Sequence, residues 1–387
     1  MTYFDYASMG IPDKENIQEL QKHLGNLTSD IKSNAGGYTV DLLVKMKDIR
    51  KFIAHVYDVL PQNIAFIANT TEGLGRIASG LNKSELTINV AVPDIEFMSA
   101  ALVWQGNSEN IHFFNTANGK VNLDEVNQSL ATNNILCMSS VQEVSGYRFS
   151  FANLAKERNK RSDEYWIVDG IQESGILKRD LHAQQIDAYI AGGHKWLNSP
   201  FGLGFMYVSD RLLEKIFPTF DGYLNLQEPH AGWINYLESR ERTLYDLHGI
   251  SRVNEAKSIE SGGMINFWGA EMLKKAFERW EKFGHVKAEK HIFNLQELFR
   301  KNLQLKGARI LGGDDRCNWS SIITLTCDNL DLEKKLLNHL TENNIKVSLR
   351  SINGIGGIRI GFHYYTTFEE VKYLINVLNE WGIRMQV

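Results

Sequence analysis

A lysine follows a histidine in the run Ala191-Gly-Gly-His-Lys-Trp-Leu-Asn-Ser-Pro-Phe-Gly-Leu-Gly-Phe-Met-Tyr-Val208. The pair stands between one apolar run and a second that is punctuated by glycine. An amine held there is partly desolvated, which lowers its pKa and frees its lone pair for imine formation. Twenty-six residues upstream, Tyr165-Trp-Ile-Val-Asp169 ends another apolar run in an acid. An amine that condenses with a carbonyl and an acid that keeps a pyridine nitrogen protonated are the two groups pyridoxal phosphate needs. Lys195 and Asp169 are the candidate catalytic pair.

Those two residues must sit at strand ends. Ile64 to Ala68, Ile88 to Val92, Ile135 to Met138, Trp166 to Val168, Ala188 to Ile190 and Gly202 to Val208 read as buried strands. Between them, Gly73 to Leu81 and Phe97 to Trp104 carry apolar residues at helical spacing. This alternation predicts a mostly parallel sheet covered on both faces. Ligands of such sheets bind beyond the carboxyl ends of the strands. The character changes after about residue 245. Glu271 to Phe283 and Phe368 to Trp381 read as amphipathic helices, and Ser321 to Thr326 and Gly357 to Ile360 as strands. The expected division is a large cofactor-binding domain over 15–250 and a small α+β domain over 251–387, with 1–14 joining the small domain.

Composition narrows the function classes. The chain has 387 residues, 43% hydrophobic and 23% charged, with a formal net charge of -4. That balance suits a globular enzyme and argues against a nucleic-acid binder or a polybasic membrane anchor. No apolar run reaches the roughly 20 residues that span a bilayer, and the N-terminus does not read as a signal peptide. A cytoplasmic enzyme is expected. Cys137, Cys317 and Cys327 are widely spaced without a CxxC pattern, so neither a disulfide framework nor a metal site is expected.

An ordered set of motifs resembles one family. Asp169-Gly-Ile-Gln172, Asp180, Asp187, Gly193-His-Lys-Trp196 and Pro200-x-Gly-x-Gly204 together resemble the class V aminotransferase family of fold type I, nearly end to end. The resemblance implies pyridoxal 5'-phosphate as cofactor and a large domain with a mostly parallel seven-stranded sheet beside a smaller α+β domain. It implies that Lys195 forms the Schiff base and moves the substrate α-proton, a transfer that needs a base within reach of the carbon. Asp169 would face the pyridine nitrogen, and Gln172 the phenolic oxygen. Thr71, with Thr70 beside it, would take the phosphate in Asn69-Thr-Thr-Glu-Gly73, where a helix N-terminus suits an anion. His194 is a further phosphate candidate. Phe97 would stack on the ring. Arg359, in Gly357-Ile-Arg-Ile-Gly361, would hold a substrate carboxylate by its two-pronged guanidinium. Each has a plainer reading: Thr70 or Thr71 as a helix cap, Asp169 as a cap, Phe97 as core, Arg359 as a surface arginine.

Four departures mark this chain. Gly192 stands where relatives often carry serine. Glu143, in Ser139-Ser-Val-Gln-Glu-Val-Ser-Gly-Tyr-Arg148, stands where desulfurase-type relatives carry asparagine, and is a candidate specificity residue. Glu260-Ser-Gly-Gly-Met-Ile-Asn266 resembles the loop that reaches a partner subunit's phosphate, but lacks its threonine. Ile345 to Asn353 holds no cysteine of the kind a desulfurase needs near Arg359. Tyr38, Arg148, Tyr223 and Arg350 are further candidates for substrate contact.

Transfer of an amino group from an amino acid or amine is accordingly the leading expectation. A carbon–sulfur or other β-eliminating lyase, desulfurase-like, is the main alternative. An inactive binding protein on the same fold is a third. The family also implies a homodimer and a small-molecule substrate, with neither nucleic acid nor membrane as partner.

Overall fold

The computed structural model describes residues 1–218, 222–230, 232–243 and 250–384. The change of character expected near residue 245 lies outside them. Among the described residues, thirteen strands form three sheets. A seven-stranded sheet contains β2 (Ile64–Ile67), β3 (Asn89–Pro93), β4 (Asn110–Phe114), β5 (Ile135–Ser139), β6 (Tyr165–Asp169), β7 (Ala188–Gly192) and β8 (Gly204–Val208), in the order β2-β8-β7-β6-β5-β3-β4. Strands β3 to β7 pair in parallel, and β8 runs antiparallel to both its neighbours.

Every residue of β5, β6, β7 and β8 is buried. Their continuous apolar runs are what two covered faces require. Along β6 the side chains alternate, with Trp166 and Val168 in one core cluster and Tyr165 and Ile167 in the other. One face packs against α2 (Thr70–Leu81) through Leu74, Ile77 and Ala78. The other packs Tyr57 of the long first helix, α1 (Lys14–Val56 and its cap), against Tyr189, Phe205 and Phe277.

The smaller sheet is antiparallel, ordered β12-β13-β10-β9, with β9 Arg309–Ile310, β10 Ile322–Thr326, β12 Ser348–Ile352 and β13 Ile355–Gly361. The last pair joins β1 (Thr2–Tyr3) in parallel to β11 (Ile345–Lys346). The N-terminal segment then runs into the large sheet's loops. Gly361 N donates to Phe4 O at 2.7 Å and Gly10 N donates to His194 O at 2.8 Å. Gln172 Nε2 donates to Ala7 O at 3.1 Å.

Two expectations shift. The helix expected over Phe97 to Trp104 is only α3 (Ser99–Leu102), because Met98 and Leu102 face outward instead of forming a packed stripe. The helix expected from Gly73 starts at Thr70. Strand β4 and the 43-residue α1, which breaks helical geometry at Asn34, were outside the sequence reading. No described helix is long and apolar enough to cross a membrane.

Candidate active site

Beyond the carboxyl ends of β5, β6 and β7 lies a cavity of about 220 Å³. Lys195, Asp169, Gln172, His194, Phe97, Thr70, Thr71 and Glu143 line it, together with Asn69, Ser99, Ser139 and Ile171. The sheet's register explains the convergence. Asp169 ends β6 and is paired with Ser139 at the end of β5, while Lys195 follows the end of β7. Arg359 comes from β13 of the small sheet and reaches the rim through Glu143.

Burial pushes Lys195 down to about 8; Asp169 and Glu143 oppose that push, whereas Arg359 and Arg350 add to it. The same burial pushes Asp169 up to about 6. Its Oδ1 accepts from Ile171 N at 2.9 Å. Lys195 Nζ lies 6.0 Å from the centre of the Phe97 ring. Phe97 is 40% exposed, so the plain core reading of this residue is set aside. Gln172 is buried and clamped, its Oε1 accepting from Trp196 Nε1 at 3.0 Å while Nε2 serves Ala7.

The α2 N-terminus settles the threonines' plain reading. Asn69 is the cap, its side chain accepting from Glu72 N, so neither threonine is spent on that task. Thr70 Oγ1 accepts from Gly192 N at 3.0 Å, and Thr71 Oγ1 bonds Ser99 Oγ at 2.7 Å. Glu72 N and Gly73 N bond to Asn69, which leaves the backbone N–H groups of Thr70 and Thr71 at the helix N-terminus to suit an anion. His194 stacks on Phe201, and burial beside Lys195 pushes its ring down to about 4, so it stays neutral. A Cβ at Gly192 would lie 3.1 Å from His194 Nδ1, so the ring would have to shift slightly to admit one.

Arg359 is 1% exposed, which removes the surface reading. Its Nη1 donates to Glu143 Oε2 at 3.0 Å and its Nη2 to Ser8 Oγ at 2.6 Å. The Glu260 to Asn266 loop serves the fold at both ends. Glu260 pairs with Arg50 at 2.7 Å, and Asn266 caps the helix Phe267–Phe283. Arg148 pairs with Glu289 at 2.6 Å, away from the cavity lining. None of the cysteines lines the cavity. Cys137 is buried within β5, Cys317 is exposed, and Cys327 is partly buried after β10.

Ser8, Ser99 and Ser348 escaped the sequence reading. Ser99 had a weak signal, two residues past Phe97. Ser8 and Ser348 had none, because their meeting at Arg359 is made by the fold alone.

The residues suit pyridoxal phosphate: an amine of lowered pKa, a buried acid, an exposed aromatic face, and hydroxyls at a helix N-terminus share one cavity of matching scale. The fold and the cavity define an α/β enzyme of the pyridoxal-phosphate fold type I. The sequence pattern described as aminotransferase class-V matches residues 2–374, and the chain belongs to that family, whose cofactor is pyridoxal phosphate. Among its relatives is a probable cysteine desulfurase of Pyrococcus abyssi, 20% identical, with 98% of this chain and 93% of the relative covered. A probable cysteine desulfurase of Vibrio cholerae is 22% identical over the same shares. The solved complex of the cystine C–S lyase C-DES with cysteine persulfide matches with a TM-score of 0.80 at 21% identity, covering 98% of this chain and 97% of that one.

Proposed function

We propose that this protein removes the proton from the amine-bearing carbon of a small amino substrate and expels a sulfur substituent from the next carbon. The observation that carries the reading is the buried Lys195 amine, pushed down to about 8 in the cavity that also holds Asp169 and Phe97. Bound pyridoxal phosphate supplies a carbonyl that captures amines and a cationic ring that draws electrons from the neighbouring carbon. Lys195 takes the proton there, an amine of pKa near 8 being well matched to that task. The released C–H electron pair becomes a double bond to the adjacent carbon, and sulfur leaves with its own bonding pair. Asp169 would keep the ring nitrogen protonated. Thr70, Thr71, Ser99 and neutral His194 would hold the phosphate at the α2 N-terminus, with Phe97 and Gln172 holding the ring. No protein thiol is required by this sequence of steps, in keeping with a cavity lining free of cysteine.

The names of the relatives support carbon–sulfur chemistry and reverse the order of expectation drawn from sequence, in which amino transfer led. Amino transfer is the second reading, because a lone lysine that both takes and returns a proton is all it needs. The products separate the two. Sulfide or persulfide with a keto product and ammonia, formed without a keto acceptor, supports elimination. Accumulated pyridoxamine phosphate that a keto acid restores supports amino transfer. Lys195→Ala should lose the borohydride-fixed cofactor and lower turnover by about 10²–10⁴-fold. A native protein that binds no pyridoxal phosphate would sink both readings.

We further propose the domain division at about residue 250, with 1–14 attached to the small domain through the β1–β11 pair. A homodimer and a cytoplasmic location are proposed on family and composition. Exposed Ile17, Leu24, Ile31 and Val44 along α1 support an associating surface.

A further inference from the structure

The guanidinium that a family member would offer to its substrate is already in use. Arg359 Nη1 donates to Glu143 Oε2 at 3.0 Å and to Glu143 O at 3.3 Å. Its Nη2 donates to Ser8 Oγ at 2.6 Å and its Nε to Ser348 Oγ at 3.2 Å. All three nitrogens therefore have acceptors within the chain, and the side chain is 1% exposed. Ser8 also accepts from Arg350 Nη2 at 3.0 Å, so the neighbouring arginine is turned to the same hydroxyl. Glu143 meanwhile lines the cavity that holds Lys195 and Asp169. A carboxylate of the chain occupies the seat that a substrate carboxylate would take.

A substrate carboxylate could reach Arg359 only by evicting Glu143, or by displacing Ser8 and lying beside Glu143. Two carboxylates would then compete for the buried Arg359 guanidinium, where like charges repel and a charge stripped of its partner is costly. Asp169 and Asp5 add further negative charge nearby. A neutral carboxamide or ester, or a plain amine, meets no such conflict.

We propose that Glu143 fills the carboxylate seat on Arg359 and so selects amino substrates with no ionised carboxylate on the amine-bearing carbon. This rests on the reading of the cavity as a pyridoxal-phosphate site and names its substrate class. Negative selection by an in-built charge is how a pocket rejects a close analogue without touching the group both share.

The test is a binding titration of cofactor-loaded protein with matched pairs: cystine and cystamine, S-methyl-L-cysteine and its amide, L-alanine and its amide. Binding is read by calorimetry and by the change in cofactor absorbance. The member of each pair that lacks the carboxylate should bind at least about tenfold tighter. Glu143→Gln keeps the side chain's size and removes its charge, and should shift each ratio about tenfold toward the acid. Acids that bind the native protein as tightly as their partners, or pairs in which only the acid binds, overturn the proposal whether or not the variant folds. An unchanged ratio in a folded Glu143→Gln protein overturns it too. Borohydride fixation of cofactor on Lys195, measured on the same samples, keeps these outcomes apart from a failure of the underlying reading, which would overturn both.

Discussion

The amine of Lys195 is held between opposing fields. Burial lowers its pKa to about 8, Asp169 raises it, and Arg359 lowers it again. Below that pKa the amine is protonated and inert toward electrophiles. Labelling of Lys195 by a small amine-reactive reagent, before cofactor loading, should therefore rise with pH around a midpoint near 8. Asp169→Asn removes the charge that stabilises the ammonium, so the midpoint should move to lower pH. A midpoint that stays or rises would show that the acid does not govern the lysine. Lys195 and Asp169 were legible in the sequence because each closes an apolar run, and a run of buried strand residues ends where a sheet meets its ligand. The occupancy of Arg359 was not legible. Glu143 stood out as a departure, but its partner lies 216 positions away and on another sheet.

Elements are tied together around the cavity by one buried acid. Glu96, in the turn between β3 and α3, accepts from Ser139 N at 2.7 Å, Ser139 Oγ at 2.6 Å and Gln142 Nε2 at 2.6 Å. It fixes the turn that presents Phe97 to the loop that presents Glu143. Burial pushes its carboxyl from 4.5 up to about 7. Between those values the folded chain holds a proton that the unfolded chain has released. Stability should therefore fall as pH rises through that window, by about 1–3 kcal/mol, and level off above it. Glu96→Ala should flatten this slope and, by stranding buried donors, cost about 2–4 kcal/mol in denaturant unfolding at pH 5. A variant with the native slope would remove Glu96 from the account. At this scale the sequence showed the buried strands well, since their runs are apolar throughout. It hid β4, an edge strand whose first four residues are all at least partly exposed, and α1, whose stripe of Ile17, Leu20, Leu24, Leu27 and Ile31 gives way to a polar, glycine-bearing stretch around Asn34.

Across the whole molecule, the N-terminal ten residues stitch the two principal sheets together at the cavity. They pair with β11, bond β13 through Phe4, clamp Gln172 through Ala7, meet Arg359 through Ser8 and end on His194 through Gly10. Gly10 is pressed so close that a Cβ would lie 2.0 Å from Lys195 O. Gly10→Ala should thus destabilise the protein by about 1–3 kcal/mol and weaken cofactor retention, measured by thermal unfolding and by dialysis of the loaded protein. Retention equal to native would show that the segment is not part of the site's frame. Nothing in the composition of residues 1–10 announces this role. The arrangement also orders events during synthesis. Residues 2–10 are translated long before their partners at Ile345 and Gly361. Until β13 has been made, Arg359 and Ser8 are apart and the wall around Lys195 is incomplete, so a nascent chain short of β13 is expected to handle cofactor poorly.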